Sequence, residues 1–172
     1  MELFASFVRM LSRISGVVST LLILLSILIV CQMIFQRSVL EQSTIWQTEF
    51  VIFSLIAATF LGAPYILLTR GHVNVDLLPL LLGHRARIVL ALLASTLALA
   101  FCFAVFWNTV TWWHEAYATN RLTSSMWRAR MWIPFLSLPV GMGILCLQYI
   151  ADIWAIITGR EMPFGLKPED GL

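Results

Sequence analysis

The sequence predicts an all-α membrane protein: four transmembrane helices, a short interfacial helix after the second, and both termini cytoplasmic. Three observations predict this. Of 172 residues, 60% are hydrophobic and only 12% are charged, with a mean hydropathy of +0.89; a soluble domain carries about 25% charged residues. So little charge cannot cover a water-facing surface, and the surplus apolar mass requires lipid. Next, four stretches (14–36, 50–69, 88–113 and 131–151) contain no Asp, Glu, Lys or Arg. Each reaches the roughly 20 residues that a helix needs to cross the hydrocarbon. Lastly, the connections Arg37–Glu49, Arg70–Arg87 and His114–Arg130 are too short to hold a folded domain. The whole of 1–172 therefore reads as one transmembrane domain.

The first span is expected at about 15–36. Its apolar run from Gly16 to Phe35 exceeds a secretory h-region and no A-x-A site follows, so it is a retained helix and not a cleaved signal. The second span, about 48–69, opens on Trp46-Gln-Thr-Glu49. Trp46 and Glu49 are three apart, on one helix face. Glu49 falls in the first turn, where the helix dipole favours an anion, and Arg37, Arg128 and Arg130 are its candidate partners.

After this span, Gly71 suits a helix-ending left-handed turn, and Val73 and Val75 alternate with polar residues as a short extended piece does. Asp76 is the better N-cap of an interfacial helix over about 76–83, because it keeps Pro79 inside the first turn, whereas Asn74 would place it deeper. The third span, about 88–113, would be about 39 Å long against a hydrocarbon core of ~30 Å, and should tilt. The fourth, about 131–152, carries Pro134, Pro139, Gly141 and Gly143 in its first half, which can kink it. The polar tail 160–172, with Pro and Gly, reads as a flexible terminus.

Orientation follows from basic residues beside the spans. The side holding both termini carries Arg9, Arg13, Arg70, Arg85, Arg87, Arg160 and Lys167; the other carries Arg37, Arg121, Arg128 and Arg130. The richer side is assigned to the cytoplasm. Trp46, Trp112, Trp113, Trp127 and Trp132 then mark the outer interface and Trp154 the inner one.

Several functions find no residues to carry them. A net charge of +2 with no basic cluster does not suit a nucleic-acid binder. Cys31, Cys102 and Cys146 form no CxxC and read as buried spectators, so no metal site is expected. His72, His84 and His114 all lie in loops or at rims, and a transmembrane haem pair needs ligands at membrane depth. HExxH, GxSxG and Gly-rich phosphate loops are absent. No catalytic constellation and no cofactor site is expected. The span interiors hold no ionisable group of the kind that marks an ion pathway. The chain reads as a passive membrane part.

Two stretches rise above this background: Trp46 to Glu49 with Phe60-Leu61-Gly62-Ala63, and Arg70-Gly71-His72-Val73-Asn74-Val75-Asp76. With Leu138-Pro139-Val140-Gly141, they make the chain resemble, over about residues 15–155, the small DctQ-like membrane subunit of TRAP (tripartite ATP-independent periplasmic) transporters. That pattern runs Trp-x-x-Glu, Phe-Leu-Gly-Ala, Arg-x-Gly-x-His-x-x-Val-Asp and Leu-Pro-x-Gly. This sequence departs from it in three places. Arg70 directly abuts Gly71, Ser54 stands where a Trp is frequent, and Phe50 stands where a second acid is frequent.

The resemblance implies a non-enzymatic inner-membrane subunit bound to a large M-type permease. That partner moves organic acids or related small solutes, coupled to sodium, and receives them from a periplasmic substrate-binding protein. The small subunit enlarges the fixed scaffold. Trp46, Glu49, Gly62, Arg70, Gly71, His72 and Asp76 are then candidates for the partner-subunit interface or for a structural turn. Arg121, Arg128 and Arg130 are candidates for contact with the binding protein, or with the phosphates of membrane lipids. The alternative class is the membrane anchor of a haem- or quinone-linked oxidoreductase.

Overall fold

Continuous apolar sequence in a solvent without hydrogen-bond partners folds as helix, because helix alone satisfies each backbone group within its own segment. The computed structural model describes residues 2–69 and 84–158. They form α1 (Glu2–Ser38), α2 (Gln47–Leu68), α3 (His84–Ala118), the single turn α4 (Trp132–Phe135) and α5 (Ser137–Ile157). Four helical segments are long and apolar enough to cross a membrane, α4 and α5 together making the fourth. The interfacial helix expected over 76–83 and the tail 160–172 lie outside the described residues.

Three helices, α1, α3 and α5, extend beyond the expected spans. α1 begins at Glu2, and its 37 residues measure about 55 Å at ~1.5 Å per residue. Arg9 and Arg13 are exposed, while Val8 and Ser12, about a quarter turn round the helix, are fully buried. Charge ends the hydrocarbon crossing there without ending the helix. α3 likewise continues through the aromatic belt to Ala118. The fourth crossing is interrupted at Leu136, between Pro134 and Pro139. There the Ser137 hydroxyl donates to the Pro134 carbonyl at 2.6 Å.

α1 and α2 pack antiparallel, α5 lies against both, and α3 packs chiefly on α5. The core between α3 and α5 contains Cys102, Met142, Leu145 and Cys146, flanked by Phe60, Phe106 and Tyr149. Cys102 and Cys146 are thus packing residues, as expected. Cys31 differs: it lies exposed on the outward face of α1.

Hydrocarbon supplies no hydrophobic force between helices, so close packing and hydrogen bonds must hold them. Both are present. Pro64, fully buried in α2, has no N–H to offer the carbonyl of Phe60, one turn earlier. Gly141 of α5 sits on that carbonyl, where an added Cβ would overlap the Phe60 oxygen. A glycine Cα–H pointed at a carbonyl is a weak hydrogen bond worth about 0.5–1 kcal/mol. On the other face of α2, Gly62 abuts the Ser19 hydroxyl, which donates to the Ala58 carbonyl at 2.6 Å.

Polar side chains clasp both ends of α1. Ser12 donates to Gln148 Oε1 at 3.0 Å, and Gln148 Nε2 donates to Asp152 Oδ1 at 3.0 Å. At the far end, Gln47 Nε2 donates to Gln36 Oε1 at 2.9 Å. Asp152, at the expected end of the fourth span, lies within α5, which continues to Ile157.

The Gly141 contact gives a ranked prediction for thermal midpoints of the detergent-purified chain, followed by circular dichroism. Gly141→Ala should cost about 1–3 kcal/mol as overpacking against backbone. Gly143→Ala, whose methyl would meet the movable ring of Phe106 at 3.2 Å, should cost less. The reverse order would show that the Phe60 carbonyl does not set this helix spacing.

Candidate functional site

The spans run antiparallel in sequence order, so segments 39–46 and 119–131 share the end of the bundle opposite the termini. This rim gathers more of the candidate residues than any other described region. Its floor is the start of α2. Trp46 occupies the N-cap position without a side-chain capping bond. Its ring packs edge-on to Phe50 at 6.1 Å and tilted against Trp127 at 6.3 Å. Gln47, buried beneath, keeps its Oε1 unpaired while its amide nitrogen reaches Gln36.

The 119–131 loop folds over this floor. Asn120 takes a left-handed φ of 46° as α3 ends. The amide of Asn120 donates to Tyr117 at 3.2 Å and that of Arg121 to Ala116 at 3.1 Å. These two bonds form a Schellman cap, in which Asn tolerates the left-handed backbone. Leu122 and Arg130 then pair as an isolated antiparallel bridge. Met131 donates to the Arg121 carbonyl at 3.0 Å and Thr123 to that of Ala129 at 2.9 Å, while Thr123 Oγ1 accepts from the Ala129 amide at 3.0 Å. The loop is therefore braced at its neck, with Met126 at its exposed tip.

Glu49 lies between floor and loop, in the first turn of α2. Its Oε2 is buried and has no hydrogen-bond partner. The carboxylate lines a cavity of about 410 Å³ together with Phe53, Arg121, Thr123, Ser124 and Met131. Among the described residues Glu49 makes no ion pair, so the pairing expected with Arg37, Arg128 or Arg130 does not form. Arg37 instead donates through Nε to Thr44 Oγ1 at 2.9 Å. Arg128 and Arg130 turn to the other side of the loop, where they border a separate apolar groove. Arg121 shares the cavity with Glu49 and approaches Glu115 at 3.9 Å, both side chains more than 60% exposed, a geometry worth well under about 1 kcal/mol.

The structure therefore brings Trp46 and Glu49 to one rim with the three arginines and splits the arginines into two faces. Gly62 lies deeper and serves the contact with Ser19 in the same chain. Arg70, Gly71, His72 and Asp76 lie outside the described residues. A polar seam went unread in the sequence: Ser12, Ser15 and Ser19 of α1, each at most 6% exposed, with Gln148. Its signal was available, since serines at 12, 15, 19 and 26 fall on one helix face. Searching for ionisable groups alone passes over it.

The family described as "Tripartite ATP-independent periplasmic transporters, DctQ component" matches residues 26–159. The chain belongs to the DctQ family. It is similar, at 24% identity over 162 residues, to the C4-dicarboxylate TRAP transporter small permease protein DctQ of Vibrio cholerae serotype O1; 81% of this chain and 70% of that relative are covered. No solved structure matches. This DctQ-family chain is thus a small membrane subunit of a TRAP transporter and a multi-pass inner-membrane protein. The family implies partnership with a large permease and a substrate-binding protein.

Because the buried Glu49 oxygen has no partner to lose, Glu49→Gln in the isolated chain should leave the thermal midpoint unchanged or raise it. A fall equivalent to more than about 1 kcal/mol would reveal an internal partner.

Proposed function

We propose that this subunit is the stationary scaffold of a sodium-coupled TRAP transporter, without catalytic or transport activity of its own. It binds and stabilises the large permease, which moves organic acids or related small solutes, and helps to dock the periplasmic substrate-binding protein. The observation that carries this reading is the contact of Gly141 with the Phe60 carbonyl. Where two spans meet backbone to backbone inside the bundle, no solute lane lies between them.

In this reading both termini face the cytoplasm and the braced loop faces the periplasm. The loop then presents Arg121 and the tip around Met126 to the binding protein. The rim of Trp46 and Glu49 offers the large permease a buried carboxylate oxygen awaiting a donor. A cation or amide from the partner would satisfy it, a charge-assisted bond of the stronger kind. The turn Arg70-Gly71-His72, with Asp76, forms a second contact or a rigid re-entry at the cytoplasmic side.

Reconstitution tests the scaffold. In liposomes with an imposed sodium gradient, uptake of a labelled C4-dicarboxylate or another organic acid should require the large permease and the binding protein. This chain alone should carry none; flux through it, or a Soret band from the purified chain, would overturn the reading. The contact residues are tested by co-purification. Glu49→Gln should weaken recovery of the large permease while leaving the isolated chain stable, and His72→Ala and Asp76→Ala should weaken recovery or uptake. Wild-type assembly and uptake in all three would remove the roles given to the rim and the turn.

A further inference from the structure

We propose that the groove between α1, α2 and the 119–131 loop is a binding site for one anionic glycerophospholipid of the adjoining leaflet. The groove holds about 510 Å³. Its walls are apolar and come from three parts of the chain: Leu22 of α1, Phe50, Phe53 and Ala57 of α2, and Ile133 and Pro134 at the start of the fourth crossing. Its mouth is formed by Trp127, Arg128 and Arg130. Its floor includes Ser54, a residue only 5% exposed.

That order of groups follows the order of groups in a phospholipid. Trp127 places the mouth at the level of the headgroups, where amphipathic rings collect. Two guanidiniums two residues apart suit a phosphodiester, which arginine engages through paired N–H donors. Phe50 and Phe53, nearer the mouth than Ser54 along α2, flank the glycerol-ester region, and Leu22 and Ala57, deeper in the bilayer, take an acyl chain.

Charge separates this groove from the neighbouring cavity. Arg121 has Glu115 beside it and Glu49 in its cavity. The groove is lined by no carboxylate, and Arg128 and Arg130 have no ion-pair partner among the described residues. The backbone supports the same placement. Arg128 holds a left-handed φ of 50°, which side-chain-bearing residues avoid, with its amide bonded to Ser125 at 3.3 Å. Strain of this kind is retained where the surrounding structure enforces it, commonly at ligand sites. The proposal does not depend on the scaffold reading, because the site is complete within this chain.

The test is lipid competition on the full chain in detergent. The chain is incubated with equal amounts of dioleoyl phosphatidylglycerol and dioleoyl phosphatidylcholine, and the retained lipid is read by native mass spectrometry. Wild type should retain phosphatidylglycerol preferentially. The double variant Arg128→Gln/Arg130→Gln should lose about thirtyfold of that preference, as removal of two basic groups at an anionic headgroup predicts. Ser54→Trp fills the floor and should lower retention of both lipids with the arginines intact, while Arg13→Gln, far from the groove, should change neither. Helical circular dichroism confirms that each variant folds. Should the double variant misfold, Arg128→Lys/Arg130→Lys keeps the charge, removes the forked donors and should lose part of the preference. Equal retention of the two lipids by wild type, or a folded double or lysine variant behaving as wild type, overturns the proposal. A cross-link from position 57 to the large permease in the assembled transporter, with phosphatidylglycerol displaced, overturns it in favour of a protein occupant.

Discussion

Hydrocarbon is as apolar as leucine, so burying leucine against leucine in a bilayer releases little free energy. The bundle depends instead on what Pro64 does to α2. By withholding one N–H it leaves the Phe60 carbonyl unclaimed inside its own helix, and Gly141 brings α5 close enough to meet it. That contact fixes the distance between two spans running in the same direction. Around it the serine face of α1 can reach both: Ser19 bonds the Ala58 carbonyl of α2, and Ser12 bonds Gln148 of α5. A residue often counted as a helix breaker here creates the acceptor that joins the helices.

Function follows from where polarity has been placed. Neutral hydroxyls and amides hold the helices together in the apolar layer, while the charged groups of the described residues collect toward the ends. Glu49, held between α2 and the 119–131 loop, is the exception. One of its carboxylate oxygens is withdrawn from water and unpaired within the described residues, a state that is costly for an isolated chain. α3, packed chiefly on α5, leaves Leu97, Phe101 and Trp107 largely exposed. It widens the subunit instead of closing the bundle.

Much of this was legible in the sequence, and the gaps have physical causes. The four crossings follow from runs without charge, because the cost of charge in lipid is large and local. The true ends of α1 and α3 do not, because an interfacial helix tolerates arginine on its wet face, and Arg9 and Arg13 sit on that face. Trp46 and Glu49 were found because a tryptophan and an acid at a helix start are conspicuous. Ser12 and Gln148 were not, because a neutral polar residue in a span becomes meaningful only once its partner, more than a hundred positions away, is known. The braced loop was hidden for a similar reason. The Schellman cap at Asn120 and the bridge from Leu122 to Arg130 use ordinary residues, and the split of the three arginines between two faces follows from that backbone pairing.

One further property belongs to α1. It is continuous through its full length and fastened near both extremities, by Ser12 to Gln148 and by Gln36 to Gln47. A piston stroke along its axis would strip both fastenings together. Any displacement passed to this subunit from a moving neighbour must therefore rock the α1–α2–α5 assembly as one block.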